Sequence, residues 1–224
     1  MKLYIIKELN SQLDNPKATN MLMEVLKTRQ YNFNVNYDKC LCLDKYDLIS
    51  DHYILTTDSE KILATIRSVS QAKCSEYDIP LPIYDSIKNN PELHKMLESF
   101  LKENRNTIHM SYLCKNNTFE NYLPNYKALD LMTWLVFQYN KISLKQISYC
   151  STPNSKYKLS QWLKQLGPIY GTELSFVHPT IPEKHEMILI KNLSDEYINS
   201  KQEKYKSLIT KVETLELEVL PKAA

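Results

Sequence analysis

Asp44, Asp47 and Arg67 are the residues whose types and spacing could do chemistry. Asp44 and Asp47 lie on either side of Tyr46 in an acidic turn. His52–Thr57 and Lys61–Val69 follow as two β-rich runs joined by the polar turn Asp58-Ser59-Glu60, the pattern of a hairpin. In the second run Ile62, Ala64 and Ile66 share one face, while Leu63, Thr65, Arg67 and Val69 share the other. Arg67 therefore sits mid-strand on a largely apolar face. A guanidinium there needs carboxylate partners or a polar cleft. The chemistry on offer is charge pairing away from water, and the hairpin is expected to carry Arg67 back to the acidic turn. Asp44 and Asp47 read equally as turn residues that cap local backbone, and Arg67 as half of a structural ion pair.

The elements that must position these groups follow from periodicity. Lys2–Leu9 reads as a first strand. Asn15-Pro16 starts a helix, a cap followed by proline at the first helical position. Ala18, Met21, Leu22, Val25 and Leu26 form its buried stripe, and Arg29 extends that stripe, with Phe33 four residues on. An arginine near a helix C-terminus also complements the dipole. Cys74–Asp85 reads as loop around Pro80-Leu81-Pro82. Asn90-Pro91 starts a second helix with the stripe Leu93, Leu97, Phe100 and Leu101. Thr107–Cys114 is a strand, Lys115–Pro124 a polar loop, and Asn125–Asn140 a helix apolar around nearly its whole circumference. Ser143–Tyr149 is a short strand, and strand–helix–strand implies a parallel crossover. Thr152-Pro153-Asn154 opens a helix ended by Gly167; Tyr170–Val177 and Glu186–Lys191 form a hairpin-like pair. Ser194 starts a last helix with Tyr205, Leu208, Val212 and Leu215 as a narrow seam. No internal repeat and no Gly/Ser-rich linker divides the chain. The expected organisation is a domain over 1–191 and a C-terminal helical extension over 192–224.

Composition removes several function classes. Hydrophobic residues make up 43% of the 224, enough for a real core. Lys+Arg 28 against Asp+Glu 26 leaves a net charge of +2, which gives nucleic acid no electrostatic footprint. The longest near-continuous apolar run, Leu131–Phe137 broken by Thr133, is too short to cross a bilayer. Lys7 and Glu8 interrupt the N-terminus where a signal peptide would stay apolar, and five scattered cysteines suit reduced thiols, so a cytoplasmic protein is expected. Two glycines, Gly167 and Gly171, exclude Rossmann fingerprints and P-loops. Cys40-x-Cys42 with His52 lacks the spacing of a zinc site, so no metal is expected. Cys114 and Cys150 have no nucleophile motif behind them.

The order of elements resembles the GCN5-related N-acyltransferase (GNAT) fold, and the residues around the hairpin look like its acyl-homoserine lactone synthase and N-acyl amino acid synthase branch. That branch carries an arginine, three residues and a phenylalanine, matched by Arg29-Gln30-Tyr31-Asn32-Phe33. An acidic residue two before an Asp, then an aromatic and a second Asp, is matched by Cys42-Leu43-Asp44-Lys45-Tyr46-Asp47 except at Cys42. Arg67 matches the arginine at the end of the hairpin; Pro80-Leu81-Pro82-Ile83 and Leu166-Gly167-Pro168-Ile169 are similar to later segments. The resemblance spans roughly residues 1 to 191. The branch's tryptophan after the phenylalanine is missing. Where its central strand has Glu, two residues and Arg, this chain has His109-Met110-Ser111-Tyr112. The Gly-rich pyrophosphate loop of coenzyme A users is missing from Lys115–Pro124, which leans toward a carrier-protein donor.

What the resemblance implies is an α/β class: a single GNAT-like domain with a mixed, mostly antiparallel sheet, two splayed parallel strands, and helices on both faces. It implies transfer of an acyl group from a thioester on acyl carrier protein or coenzyme A to the amine of an amino-acid-like acceptor, S-adenosylmethionine among the candidates, with no tightly bound cofactor. Asp44 and Asp47 would bind an ammonium or draw off its proton. Arg29 and Arg67 would hold those carboxylates or a substrate carboxylate. His109 would be a base in place of the glutamate, though a satisfied strand histidine is the plainer reading. Phe33 and Tyr112 would line the substrate site. The competing reading is a catalytically inert module of the same fold that binds a ligand or a protein.

Overall fold

Asn15 caps the first helix as its place before Pro16 dictates: its Oδ1 accepts from the backbone N–H groups of Lys17 and Ala18 at 3.0 and 3.2 Å. Those donors would otherwise be orphaned. The computed structural model describes residues 1–8, 14–37, 43–141, 147–157, 159–171 and 174–215. In chain order its elements are β1 (Lys2–Ile6), α1 (Pro16–Tyr37), α2 (Lys45–Ile49), β2 (Asp51–Thr56), β3 (Ile62–Ser70), α3 (Gln71–Glu76), α4 (Ile83–Ile87), α5 (Pro91–Glu103) and β4 (Thr107–Lys115). Then come α6 (Phe119–Tyr122), α7 (Ala128–Lys141), β5 (Ser148–Ser151), α8 (Leu159–Leu163), β6 (Leu174–Val177), β7 (Lys184–Ile190), α9 (Asp195–Lys206) and β8 (Lys211–Leu215). The class is mixed α/β, with parallel and antiparallel strand pairings.

Two compact units share the chain. The first is Met1–Arg67, Tyr112–Thr133 and Lys206–Ala224. Its strand order is β8-β1-β2-β3-β4, of which β3 and β4 each continue in the second unit. Tyr4 of β1 stands opposite Ile54 in the antiparallel pairing with β2, and opposite Glu213 in the parallel pairing with β8. The hairpin turn between β2 and β3 closes through Thr57 N–H to Lys61 O at 2.9 Å. Ala18, Leu22 and Val25 of α1 pack with Tyr4, Ile6, Ile54, Ile62 and Leu215 in one apolar cluster. Each fully buried side chain of this size contributes about 1.5–3 kcal/mol.

The second unit is Ser68–Ser111 and Trp134–Tyr205. Here β4 pairs in parallel with β5, β5 antiparallel with β7, and β7 antiparallel with β6. The β4–β5 ladder matches Thr107, Ile108 and His109 to Ser148, Tyr149 and Cys150, so the expected parallel crossover is present. Leu93, Leu97, Phe100 and Leu101 form the buried stripe of α5. The Trp134 indole N–H donates to the Ile198 carbonyl at 3.2 Å. Gly167 ends a 3-10 turn after α8, and a Cβ there would lie 2.1 Å from Asn192 O, so only glycine fits that approach. In the β6–β7 connection, His178 Nδ1 accepts from the backbone N–H groups of Thr180 and Ile181 at 3.2 and 3.3 Å. Its Nε2 must then carry the proton, which it donates to Ser86 Oγ at 3.2 Å. His185 donates from Nδ1 to the Glu183 carbonyl at 3.0 Å, and the two rings lie 4.8 Å apart. Burial leads the causes that lower both imidazoles, His178 to about 4.

Several local expectations change. Cys74–Asp85 contains parts of two short helices, because Ser70 Oγ caps α3 through Lys73 N–H and because Pro82 precedes α4 rather than breaking it. Phe119–Tyr122 is a helical turn inside the expected polar loop. The last helix stops at Lys206, and the seam residues Val212 and Leu215 belong to β8, a strand beside β1, not to a helix. The stretch 37–43, which reads as a strand or an extended loop, falls largely outside the described residues, as do Cys40 and Cys42 and the start of the strand expected at Ser143.

Candidate active site

Asp44 is the N-cap of α2, not merely a turn residue. Its Oδ1 accepts from Tyr46 N–H at 2.9 Å and Asp47 N–H at 3.0 Å, while Asp47 Oδ2 accepts from Asp44 N–H at 3.1 Å. This reciprocal cap fixes both carboxylates in one stroke. Steps of four, three and four from Ala18 through Leu22 and Val25 place Arg29 on the buried stripe of α1, where it is 0% exposed. β3 is buried along nearly its whole length, and Arg67 within it is 1% exposed.

The two arginines meet the two aspartates. Asp47 Oδ1 accepts from Arg29 Nη1 at 2.6 Å and faces Arg67 Nη1 at 2.8 Å. Asp44 Oδ1 accepts from the same Arg67 nitrogen at 2.6 Å. Asp47 is 1% exposed, whereas the Asp44 side chain is 32% exposed. Tyr112, at φ +53° in β4, lays its ring 4.3 Å from Arg67 Cζ and 5.2 Å from Arg29 Cζ, and its hydroxyl donates to Asp44 Oδ2 at 3.1 Å. A bulky residue in the left-handed region costs about 1–3 kcal/mol, and the cation–π contacts and hydrogen bond offset part of that. Phe33 meets the Tyr112 ring edge-on at 5.6 Å.

Two charges of each sign make the cluster neutral, and its electrostatics follow. Burial alone would raise the Asp47 carboxyl, but Arg67 and Arg29 outweigh it and hold it below the usual carboxylate range. Burial would lower Arg67, yet Asp47 and Asp44 carry it upward. Arg29 is lowered, first by burial and then by Arg67, against the pull of Asp47; a guanidinium has far to fall and stays charged. Burial, with Asp44 adding, pushes the Tyr112 phenol up to about 12, so it remains a donor. Burial likewise pushes the Cys114 thiol up to about 12, which denies it thiolate character.

Of the residues expected from sequence, the first unit brings together Arg29, Phe33, Asp44, Asp47, Arg67 and Tyr112. His109 is 5% exposed on β4 in the second unit, opposite Cys150. His52 was considered only as a metal ligand, yet it belongs to the cluster: Nε2 donates to the Asp47 carbonyl at 2.8 Å, so Nδ1 is the lone pair that Arg29 Nη2 approaches at 3.2 Å. Burial, then the Arg29 charge, push this imidazole to about 3. Tyr46, 3% exposed, also joins the cluster, its ring centroid 5.8 Å from Arg67 Cζ. No helix among the described residues is long and apolar enough to cross a membrane.

No protein-family model matches the sequence, and no curated protein matches it. Among solved structures the chain is similar to FeeM, an N-acyl amino acid synthase from uncultured soil microbes, at 11% identity and a TM-score of 0.50, over 79% of this chain and 92% of that one. The two share a fold. TofI in an apo form is similar at 9% identity and a TM-score of 0.50, over 89% of this chain and 97% of its own. This is the fold that the order of elements implied.

Proposed function

We propose that the chain is an N-acyltransferase, moving an acyl group from a thioester to the amine of an amino-acid-like acceptor. The observation that carries the proposal is the state of Asp44. Among the described residues Oδ1 is filled by Arg67 and two backbone N–H groups, while Oδ2 accepts from Tyr112 and belongs to the one partly exposed carboxylate of the cluster. A carboxylate oxygen takes about two donors, so Oδ2 has room for one more. An ammonium seated there is charge-matched and can give up its proton. Asp44 Oδ2 takes one proton from the ammonium, and the free amine then forms the N–C bond at the thioester carbonyl. The C–S bond breaks, the second nitrogen proton goes to the leaving thiolate, and Asp44 returns its own proton to solvent. Arg67 and the cap hold the carboxylate still, which is the preorganisation such a step needs. Asp47, Arg29 and His52 hold Arg67 and α2 and touch no substrate. His109 is buried, so the proton is assigned to Asp44.

The donor is acyl carrier protein or coenzyme A carrying the acyl chain, with S-adenosylmethionine among the candidate acceptors. Mass spectrometry of lipid extracts from cells expressing the chain tests this. A new acylated amine is expected, with Asp44→Asn lowering its yield about 10²-fold or more while the far-UV circular dichroism is unchanged. A wild-type chain that makes no acylated amine, or an Asn variant that makes as much, would leave the inert binding module as the better reading.

A further inference from the structure

The acceptor's handle can be read from which charges the cluster spends on itself. Arg29 and Arg67 are 0% and 1% exposed, and their Nη1 atoms are committed to Asp47 and Asp44. Arg29 Nη2 lies against His52, and the Tyr112 ring stands 4.3 Å from Arg67 Cζ. A substrate carboxylate reaching either guanidinium would have to displace an aspartate from a buried pair. The partly exposed groups of the cluster are the Asp44 carboxylate and Tyr112, whose hydroxyl donates to Asp44 Oδ2.

We infer that the site recognises its acceptor through the ammonium group and not through a carboxylate, so that simple primary amines are acylated as readily as the matching amino acids. The inference rests on the acyltransfer reading and names the acceptor class for it. Both guanidiniums of the cluster are buried and paired, so neither is open to a substrate carboxylate, and the negative Asp44 repels one. The reaction itself is unchanged: Asp44 Oδ2 takes one ammonium proton, the amine forms the N–C bond, the C–S bond breaks, and the second nitrogen proton goes to the leaving thiolate. Lys45 is the exposed cation beside Asp44 in sequence, its Nζ 5.0 Å from the Tyr46 ring centroid, and the test includes it.

Matched acceptor pairs decide the matter: L-phenylalanine against phenethylamine, L-leucine against isopentylamine, and S-adenosylmethionine against its decarboxylated form. Each is offered to the purified full chain with acyl-carrier-protein and coenzyme A thioesters of eight to sixteen carbons. The expected result is a kcat/KM for each amine equal to or above that of its amino acid, and a Lys45→Ala variant that keeps the ratio. A site built to pair a substrate's polar group rejects the analogue lacking it by about 10⁴–10⁵-fold. A preference of 100-fold or more for the amino acids overturns the inference while leaving acyl transfer in place. Turnover of neither member of any pair overturns both, and calorimetric titration with the same amines then shows whether ammonium binding at Asp44, abolished in Asp44→Asn, survives without chemistry.

Discussion

The charged cluster of the first unit and the histidine corner of the second solve the same problem in opposite ways. Both take ionisable groups out of water. The cluster keeps its four charges and cancels them, with Asp47 held low and Arg67 held high. The corner discharges its groups: His178 and His185 are both lowered and are fixed as neutral tautomers by backbone partners. A paired charge can still act on a ligand, the role proposed for Asp44; neutral tautomers locked by backbone groups hold a loop. His178 and Ser86 illustrate this. The contact looks like a nucleophile and its base, but the proton sits on Nε2, so the imidazole donates to the hydroxyl and cannot receive from it.

The largest effect that would break the comparison comes from Asp47→Asn. It strands two buried guanidiniums with one partly exposed carboxylate, and a loss of about 3–5 kcal/mol is expected in urea unfolding. A loss below about 1 kcal/mol would mean that the cluster is not holding its charges as described. The intermediate effect concerns acid. His178 is depressed to about 4 from 6.5, so the unfolded chain takes up the proton first. Its contribution is therefore complete above about pH 6.5 and is lost as pH falls toward 4. His52 adds in the same direction down to about 3. Urea midpoints measured from pH 7 to 4 should fall, and should fall less in His178→Asn, whose amide oxygen can accept the same N–H groups; identical slopes would detach the corner from the acid response. The smallest effect sharpens the role of Tyr112. Tyr112→Phe keeps the ring over Arg67 and removes one hydrogen bond, so about 0.5–1.5 kcal/mol is expected by thermal unfolding. A much larger loss would show that the hydroxyl, more than the ring, holds the left-handed backbone.

Much of the cluster was legible because it is written in local spacing. The cap at Asn15 and the stripe through Val25 fix the face on which Arg29 lies, and the alternation of β3 fixes Arg67. The hairpin then returns Arg67 to the aspartates with no long-range information needed. What stayed hidden depends on partners distant in sequence. β8 reads as helix seam by its apolar spacing, and only β1, which pairs Lys2 with Lys211, makes it a strand. That Asp44 and Asp47 cap local backbone was legible, but not that they cap a helix, because an aspartate, not a glutamate or glutamine, closes the box from Asp47. His52 was hidden because its value lies in a tautomer, which no spacing reveals. Tyr112 was placed at the site by likeness alone; nothing in its surrounding residues announces a positive φ.

The dryness of the cluster has a consequence for how the molecule meets its medium. Dissolved ions weaken an attraction only where they can gather around it, and at about 0.15 M their reach is about 8 Å through water. Arg29, Asp47 and Arg67 offer them almost no surface, whereas a pair such as Lys27–Glu24, exposed on both sides, is open to them. Added potassium chloride should therefore loosen the outer pairs and leave the inner circuit intact. Any sensitivity of turnover to salt would then report on how the partners arrive, not on the groups that wait for them.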